Sequence, residues 1–320
     1  MFIPRRVPRR IHFIPLLVIL ASGLLVSCET SSQERSNGQG SSLTPTHYRD
    51  FENADSLAAY LRSDAVPLIG AHRGGPTAQF PENALSTFGH ALTHGPVLLE
   101  TDVRMTDDSV LVLMHDETLG RTTTGRGAVQ SKTLSELREL RLVTASGRTT
   151  RFQVPTVAEA LAWAEGRAVL QLDVKDPVPR SRVVELLRRM EALDQALVIT
   201  YTLDDARWYH RRMPELVLSV SADTKEEAVA YVEQVDSSRL VAFAGVGAPA
   251  EEVLRVFSER NIPVTVGTFG DLDRQARQRG LVVYRDLFRR GVDIVATDQV
   301  ALASQAAGTY ESERAVSRAP

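Results

Sequence analysis

The chain has a single cysteine, Cys28, among its 320 residues. No intrachain disulfide can form, so packing has to hold the fold whatever the redox state of its compartment. Nor is there an excess of positive charge. Lys and Arg number 37 against 40 Asp and Glu, a net charge of −3, which argues against a nucleic-acid-binding surface. No Gly-x-Gly-x-x-Gly follows a strand-like run, so the signature of a dinucleotide-binding sheet is missing. No internal repeat is visible. The N-terminal apolar run, IHFIPLLVILASGLL, is shorter than the roughly 20 residues that a membrane-spanning helix needs.

That run has the length of a signal-peptide core, and four arginines with no acid precede it. It ends in LVSC. Leu at −3, a small residue at −1 and then Cys28 resemble a bacterial lipoprotein signal. The resemblance implies cleavage after residue 27, a lipid on Cys28, and an exported, membrane-anchored protein facing the periplasm or the cell surface. Removing residues 1–27 deletes four positive charges and no negative ones, which takes the net charge from −3 to −7. Residues 28–46 are rich in Ser, Gly and Gln and read as a flexible tether. Residues 306–320 read as a frayed, disordered tail. One domain is expected between them, over residues 47–305.

Within that domain apolar, β-branched runs alternate with helical patterns. The runs lie at Pro67–Ala71, Val97–Val103, Val110–His115, Ala168–Val174, Ala196–Thr200, Leu216–Val220, Leu240–Ala244, Ile262–Val266 and Asp293–Ala296. Helical patterns fall at Ala84–His94, Thr156–Glu165, Arg180–Leu193, Leu203–Arg212, Thr224–Gln234, Pro249–Arg260 and Leu272–Arg289. Such alternation means a parallel sheet. Parallel neighbours need a crossover of a dozen or more residues, yet only RMTDDS separates Val103 from Val110. The third run therefore doubles back as a hairpin. Eight parallel strands remain, and the expected fold is a (β/α)8 TIM barrel with a hairpin excursion after its second strand. Its chemistry belongs at the C-terminal strand ends. An open doubly wound sheet is the competing architecture.

The strand ends carry the chemistry-bearing residues. The first ends in His72-Arg73-Gly74-Gly75, followed by Glu82 and Asn83. Glu100 and Asp102, two apart, share one face of the second. With a turn centred near Asp107 and Asp108, antiparallel pairing puts His115 roughly opposite Glu100. Asp173 and Lys175 share a face on the next strand, and the last one ends in Thr297-Asp298. Clustered carboxylates raise one another's pKa unless a cation neutralises them. Three oxygen donors suit a hard divalent ion, Ca²⁺ or Mg²⁺. Two histidines suit acid–base work near neutral pH, and Arg with Lys suits a phosphate. Each residue also has a plainer role. Glu82 and Asn83 can cap the helix near Ala84, Asp173 and Lys175 can form a salt bridge, Asp298 can cap a short helix, and Asp116 and Thr118 can shape the loop after His115.

The motifs HRG…PEN, ETDVRMTDDSVLVLMHDETLGRTTTGRG, LDVKD and GVDIVATD resemble those of the glycerophosphodiester phosphodiesterases, over about Pro67 to Val300. The resemblance implies a (β/α)8 barrel that hydrolyses glycerophosphodiesters to glycerol 3-phosphate and an alcohol with one divalent cation. It implies His72 and His115 as acid and base, Glu100 and Asp102 as metal ligands, and Arg73 on the phosphate, with Lys175 sharing its charge. The third metal ligand is usually the Glu of a Glu-x-Lys pair; here Asp173 stands in its place. A Trp-Thr-Val-Asn run often follows the next-to-last strand. Here Gly267 replaces the Trp and Gly270 the Asn, and Phe269 is the one nearby ring. Three other readings are compatible with this sequence. They are a phospholipase D-like hydrolase of lysophospholipid or sphingolipid headgroups, a metal-independent phosphatidylinositol phospholipase C-like enzyme, and a non-catalytic barrel lipoprotein.

Overall fold

A computed structural model of the chain describes residues 47–63 and 67–318. The signal segment 1–27, Cys28 and the tether 28–46 lie outside the described residues. The strands are β1 (Leu68–Ala71), β2 (Val97–Met105), β3 (Leu111–Leu113), β4 (Val169–Val174), β5 (Ala196–Thr200), β6 (Val217–Ser221), β7 (Leu240–Val246), β8 (Val264–Gly267) and β9 (Ile294–Thr297). The helices are α1 (Ala54–Leu61), α2 (Leu85–Ala91), α3 (Leu134–Arg138), α4 (Val157–Ala164), α5 (Arg180–Met190), α6 (Leu203–Arg212), α7 (Lys225–Gln234), α8 (Glu251–Ser258), α9 (Asp271–Arg279), α10 (Val282–Arg289) and α11 (Val300–Arg318).

Eight strands are parallel and the sheet closes, because β1 pairs with both β2 and β9. This is the expected (β/α)8 barrel. Strand β3 runs antiparallel against the end of β2, as the six-residue gap requires, with Val103 opposite Leu113. Past the end of β3 the Met114 N–H still donates to the Asp102 carbonyl at 2.9 Å, so the pairing brings His115 to within a residue of Glu100, roughly opposite it as expected. The turn holds Ser109 in the left-handed region at φ 63°.

Alternation along each strand sorts its side chains. Outward residues such as Leu99, Leu170, Leu172 and Val198 pack beneath the helices in the main core. Inward residues Leu68, Leu98, Val169, Leu197, Val217, Val241 and Ile294 form a separate layer inside the barrel, closed from below by Leu57, Ala58 and Leu61 of α1. The inside turns polar only above that layer, so acids on β2 and β4 sit on an apolar floor. Thr156 with Glu159, and Thr224 with Glu227, form reciprocal capping boxes that start α4 and α7.

Three expectations need correction. The pattern at Leu272–Arg289 is two helices, because Gly280 at φ 76° breaks it. The plug helix α1 escaped the periodicity reading altogether. Of the expected tail at 306–320, residues 306–318 are not frayed, and 319–320 lie outside the described residues. Helix α11 continues to Arg318, buries Ala303, Ala306 and Ala307, sets the Tyr310 ring at a tilt against Phe288, and pairs Glu313 with Arg285 and Arg289. Small alanines docked on α10 give that stretch its apolar face, which its overall polarity hides.

Asp293, just before β9, closes the floor. Its Oδ2 accepts the Val264 N–H at 2.8 Å. Burial pushes its carboxyl pKa up, and the Val264 bond and Arg314 only partly offset this. A raised folded-state pKa makes the contribution to stability full below the unfolded value and lost as pH rises through the folded one. Asp293→Asn keeps an acceptor and cannot ionise. Its thermal midpoint should match the parent below the ordinary Asp pKa of about 4 and exceed it at neutral pH. Equal midpoints across that range, read by circular dichroism, would show that Asp293 carries no burial penalty.

Candidate active site

The HRGG stretch bends the chain off β1 through three successive left-handed residues, Arg73, Gly74 and Gly75, at φ 50°, 81° and 77°. Both glycines are also forced by space. A Cβ on Gly74 would lie 2.5 Å from the Phe88 ring, and one on Gly75 would lie 2.5 Å from Val300. The bend aims the Arg73 N–H at Glu100 Oε2, 2.6 Å away. It also brings Asn83, itself left-handed at φ 55°, onto β2. Asn83 does not cap α2. Its Nδ2 donates to Asp102 Oδ2 at 2.7 Å, and its Oδ1 accepts from Thr101 Oγ1 at 2.6 Å and from the Asp102 N–H at 3.0 Å.

Glu100, Asp102 and Asp173 offer carboxylate oxygens that all lie within 4.8 Å of one another. Strand register explains the meeting, because Asp102 and Asp173 are direct partners on neighbouring parallel strands. Asp102 and Asp173 are 1% and 5% exposed. Glu100 is partly exposed along its stem, but its carboxyl is enclosed. Burial pushes the Glu100 carboxyl well up, and the charges of Asp102 and Asp173 push the same way. Burial also acts upward on Asp102, but Lys175 and the Asn83 hydrogen bond outweigh it and hold that carboxyl below its ordinary value. Lys175 Nζ lies 2.9 Å from Asp102 Oδ1 and also pairs with Asp173 Oδ2. Tyr201 OH donates to the same Asp173 Oδ2 at 2.8 Å. Asp173 Oδ1 is buried and has no hydrogen-bond partner. An orphaned carboxylate oxygen beside two further acids, with too few cations among them, fits a hard divalent cation.

The two histidines are held alike. His72 Nδ1 lies 2.8 Å from Asp298 Oδ1, and His115 Nδ1 lies 2.8 Å from Asp116 Oδ1. Each ring keeps Nε2 for proton exchange. Behind Asp298 stands Asp273, 1% exposed, which accepts from the Asp298 N–H at 2.9 Å, Thr297 Oγ1 at 2.7 Å and Tyr284 OH at 2.9 Å. Behind Asp116 stands Arg121, with Nε 2.6 Å from Asp116 Oδ2 and a fork onto Glu82 at 2.8 Å for both bonds. Arg121, through its hydrogen bonds, holds the Asp116 carboxyl far below the usual range. Glu82 also takes Arg73 NH1 at 3.2 Å, while Arg73 Nε stands 3.7 Å from Asp102 Oδ2.

The strand ends thus bring together His72, Arg73, Glu100, Asp102, His115, Asp173 and Lys175, with Glu82, Asn83 and Asp298 packed around them. Sequence reasoning passed over Arg121, Tyr201 and Asp273, and read Asp116 as loop-forming. An acid directly after His115 and an Arg five residues beyond it were the available signal for the first pair. Nothing local marks Asp273, whose partners lie up to 25 residues away.

Comparison with known proteins agrees with this geometry. Residues 72–302 match the model of the glycerophosphoryl diester phosphodiesterase family. A glycerophosphodiester phosphodiesterase of Bacillus altitudinis is 27% identical over 215 residues, covering 62% of this chain and 86% of that protein. The crystal structure of a glycerophosphoryl diester phosphodiesterase from Parabacteroides distasonis is 31% identical, covers 81% of this chain and 93% of its own, and superposes with a TM-score of 0.74. An Oleispira antarctica phosphodiesterase in complex with the product sn-glycerol-3-phosphate shares the fold at 21% identity and a TM-score of 0.58. A closed barrel with paired histidines, an acid trio at its mouth and a family match over most of the chain lead to one assignment: the protein belongs to the glycerophosphoryl diester phosphodiesterase family.

Proposed function

We propose that the protein hydrolyses glycerophosphodiesters to glycerol 3-phosphate and an alcohol, with a divalent cation and two histidines that move the protons. The observation that carries this reading is the pairing of two Asp-held imidazoles with a carboxylate trio that has one orphaned oxygen. Glu100, Asp102 and Asp173 would hold the cation, Ca²⁺ or Mg²⁺, which when bound supplies Lewis-acid polarisation of a phosphate oxygen. Lys175 and Arg73 take up the remaining phosphate charge as it grows in the transition state. One histidine accepts the proton of the attacking oxygen: water, which gives glycerol 3-phosphate directly, or the neighbouring glycerol hydroxyl, which gives a cyclic phosphate that a water then opens to glycerol 3-phosphate with the two histidines in exchanged roles. The new oxygen–phosphorus bond forms as the bond to the alcohol oxygen breaks, and the other histidine gives that oxygen its proton. Asp298 and Asp116 hold the two rings in one tautomer, with the proton on Nδ1 and Nε2 free to act.

The missing Trp at Gly267 keeps lipid diesters in view as substrates, so lysophospholipids belong beside glycerophosphocholine in the assay. Export also forms part of the proposal. The LVSC sequence supports cleavage before Cys28 and a lipid on its sulfur. Among the described residues no helix is long and apolar enough to cross a membrane.

Four outcomes are expected. His72→Ala and His115→Ala should each lower the release of glycerol 3-phosphate by about 10²–10⁴-fold or more. Near-native turnover in both would sink the acid–base assignment. Chelator-treated protein should be inactive and regain activity with Ca²⁺ or Mg²⁺. Asp173→Ala should weaken calorimetrically measured cation binding by about tenfold or more, and unchanged binding would remove Asp173 from the metal site. In a bacterial host, Cys28→Ser should abolish incorporation of labelled palmitate, and labelling that persists would rule out the anchor.

A further inference from the structure

We propose that Phe269 is a positioning residue that fixes the plane of the His72 ring, and that Gly267 and Gly270 serve to put it there. The inference rests on the reading of His72 as a proton-transfer group. Phe269 lies in the turn between β8 and α9. Its ring stacks on His72 with centroids 4.2 Å apart and planes 15° from parallel. Strand β9 lies between β8 and β1, so the side chain reaches across one strand end to meet a residue from another.

Three features of the turn build this contact. Gly267 supplies room. Its φ is not in the left-handed region, so conformational freedom does not explain it. A Cβ there, however, would sit 2.9 Å from Phe269 Cε1 and Cζ, well inside the 3.5–4.0 Å or so of an ordinary carbon contact, and 3.1 Å from Cγ2 of Val246, an exposed side chain with room to turn away. Thr268, fully buried, anchors the turn. Its N–H and Oγ1 both donate to the Ala296 carbonyl, at 2.8 and 3.0 Å. Gly270, at φ 97° and ψ −114°, then reverses the chain into α9 through a backbone conformation closed to side-chain-bearing residues. The two glycines are thus one device with Phe269 between them.

His72 needs such a device. Its hydrogen bond to Asp298 Oδ1 fixes one ring atom but leaves the ring free to swing about that bond. The Asp298 side chain is itself 38% exposed. A parallel ring against one face fixes the plane, and two constraints of different kind set the direction of Nε2. Proton transfer is sensitive to that direction, since a misplacement of about 1 Å can cost about 10²-fold.

The test measures kcat and KM for release of glycerol 3-phosphate from glycerophosphocholine by the Ca²⁺- or Mg²⁺-loaded enzyme. The variants are Phe269→Ala, Phe269→Leu, Phe269→Tyr, Gly267→Ala, the Gly267→Ala/Phe269→Ala double variant and His72→Ala, each with its thermal midpoint. Phe269→Ala and Phe269→Leu should lose about 10- to 100-fold in kcat with KM little changed, and Phe269→Tyr should restore most of it. Gly267→Ala should lose kcat in the parent and cost nothing further in the Phe269→Ala background, because it acts through the ring it displaces. An effect of Phe269→Ala on KM alone would make the ring a substrate platform and overturn the proposal, as would additive losses in the double variant. If Gly267→Ala does not fold, Phe269→Leu decides alone, and full kcat there rejects the idea. Near-native turnover by His72→Ala would instead overturn the proton-transfer reading itself, whatever Phe269 does.

Discussion

Three carboxylates that cannot comfortably share a volume are the constraint around which this site is organised. Unit charges 4.8 Å apart repel by about 3 kcal/mol per pair at an effective dielectric near 20. Summed over three pairs, that is comparable with the about 5–15 kcal/mol by which a domain is stable. The chain answers with one ammonium, one guanidinium at 3.7 Å, an amide, a phenol and a backbone N–H. Even so, Glu100 is pushed well up toward its protonated form, and Asp173 keeps an oxygen without a partner. The protein compensates only partly for its own charge and leaves room for an external cation.

The histidines show a second economy. Both rings are held by the same pairing of imidazole Nδ1 with an aspartate, yet the two aspartates are supported from unrelated parts of the fold. Asp298 at the end of β9 leans on the buried Asp273 of α9. Asp116, after β3, leans on Arg121, which also ties the hairpin excursion to Glu82 in the loop after β1. Bidentate arginine–carboxylate contacts give geometric definition as well as attraction. The hairpin is more than an irregularity of the barrel, because it carries His115 to the mouth and its continuation fastens the loop after the neighbouring strand β1.

Much of this was legible in the sequence. Strand alternation and one short gap located all nine strands, and period-two spacing put Glu100 with Asp102 and Asp173 with Lys175. What stayed hidden depends on contacts between distant residues. Asn83 could be read either as a support for the site or as a helix cap, and its left-handed backbone decides by turning it toward Asp102. Asp273 sits in DLDRQARQRG, which reads as a charged surface helix, although its carboxyl gathers three donors from β9 and α10. The plug helix α1 and the long α11 present small or mixed faces whose burial only the closed barrel creates.

The substitution of Asp173 for the longer Glu is best understood through its neighbours. A Glu carboxylate reaches one methylene further and can turn either oxygen inward. Here Lys175 and Tyr201 both take Oδ2, and that commits the side chain to one orientation. Oδ1 is then the oxygen that faces Glu100 and Asp102 without a partner. Tyr201, 58% exposed and pushed up in pKa by burial of its hydroxyl and by the Asp173 charge, stays a donor across the physiological range. The shorter acid is thus restricted to a single-oxygen contribution. For the cation proposed above, which would take six or more oxygens, a single oxygen from Asp173 would leave positions for water and for the oxygens of a phosphodiester.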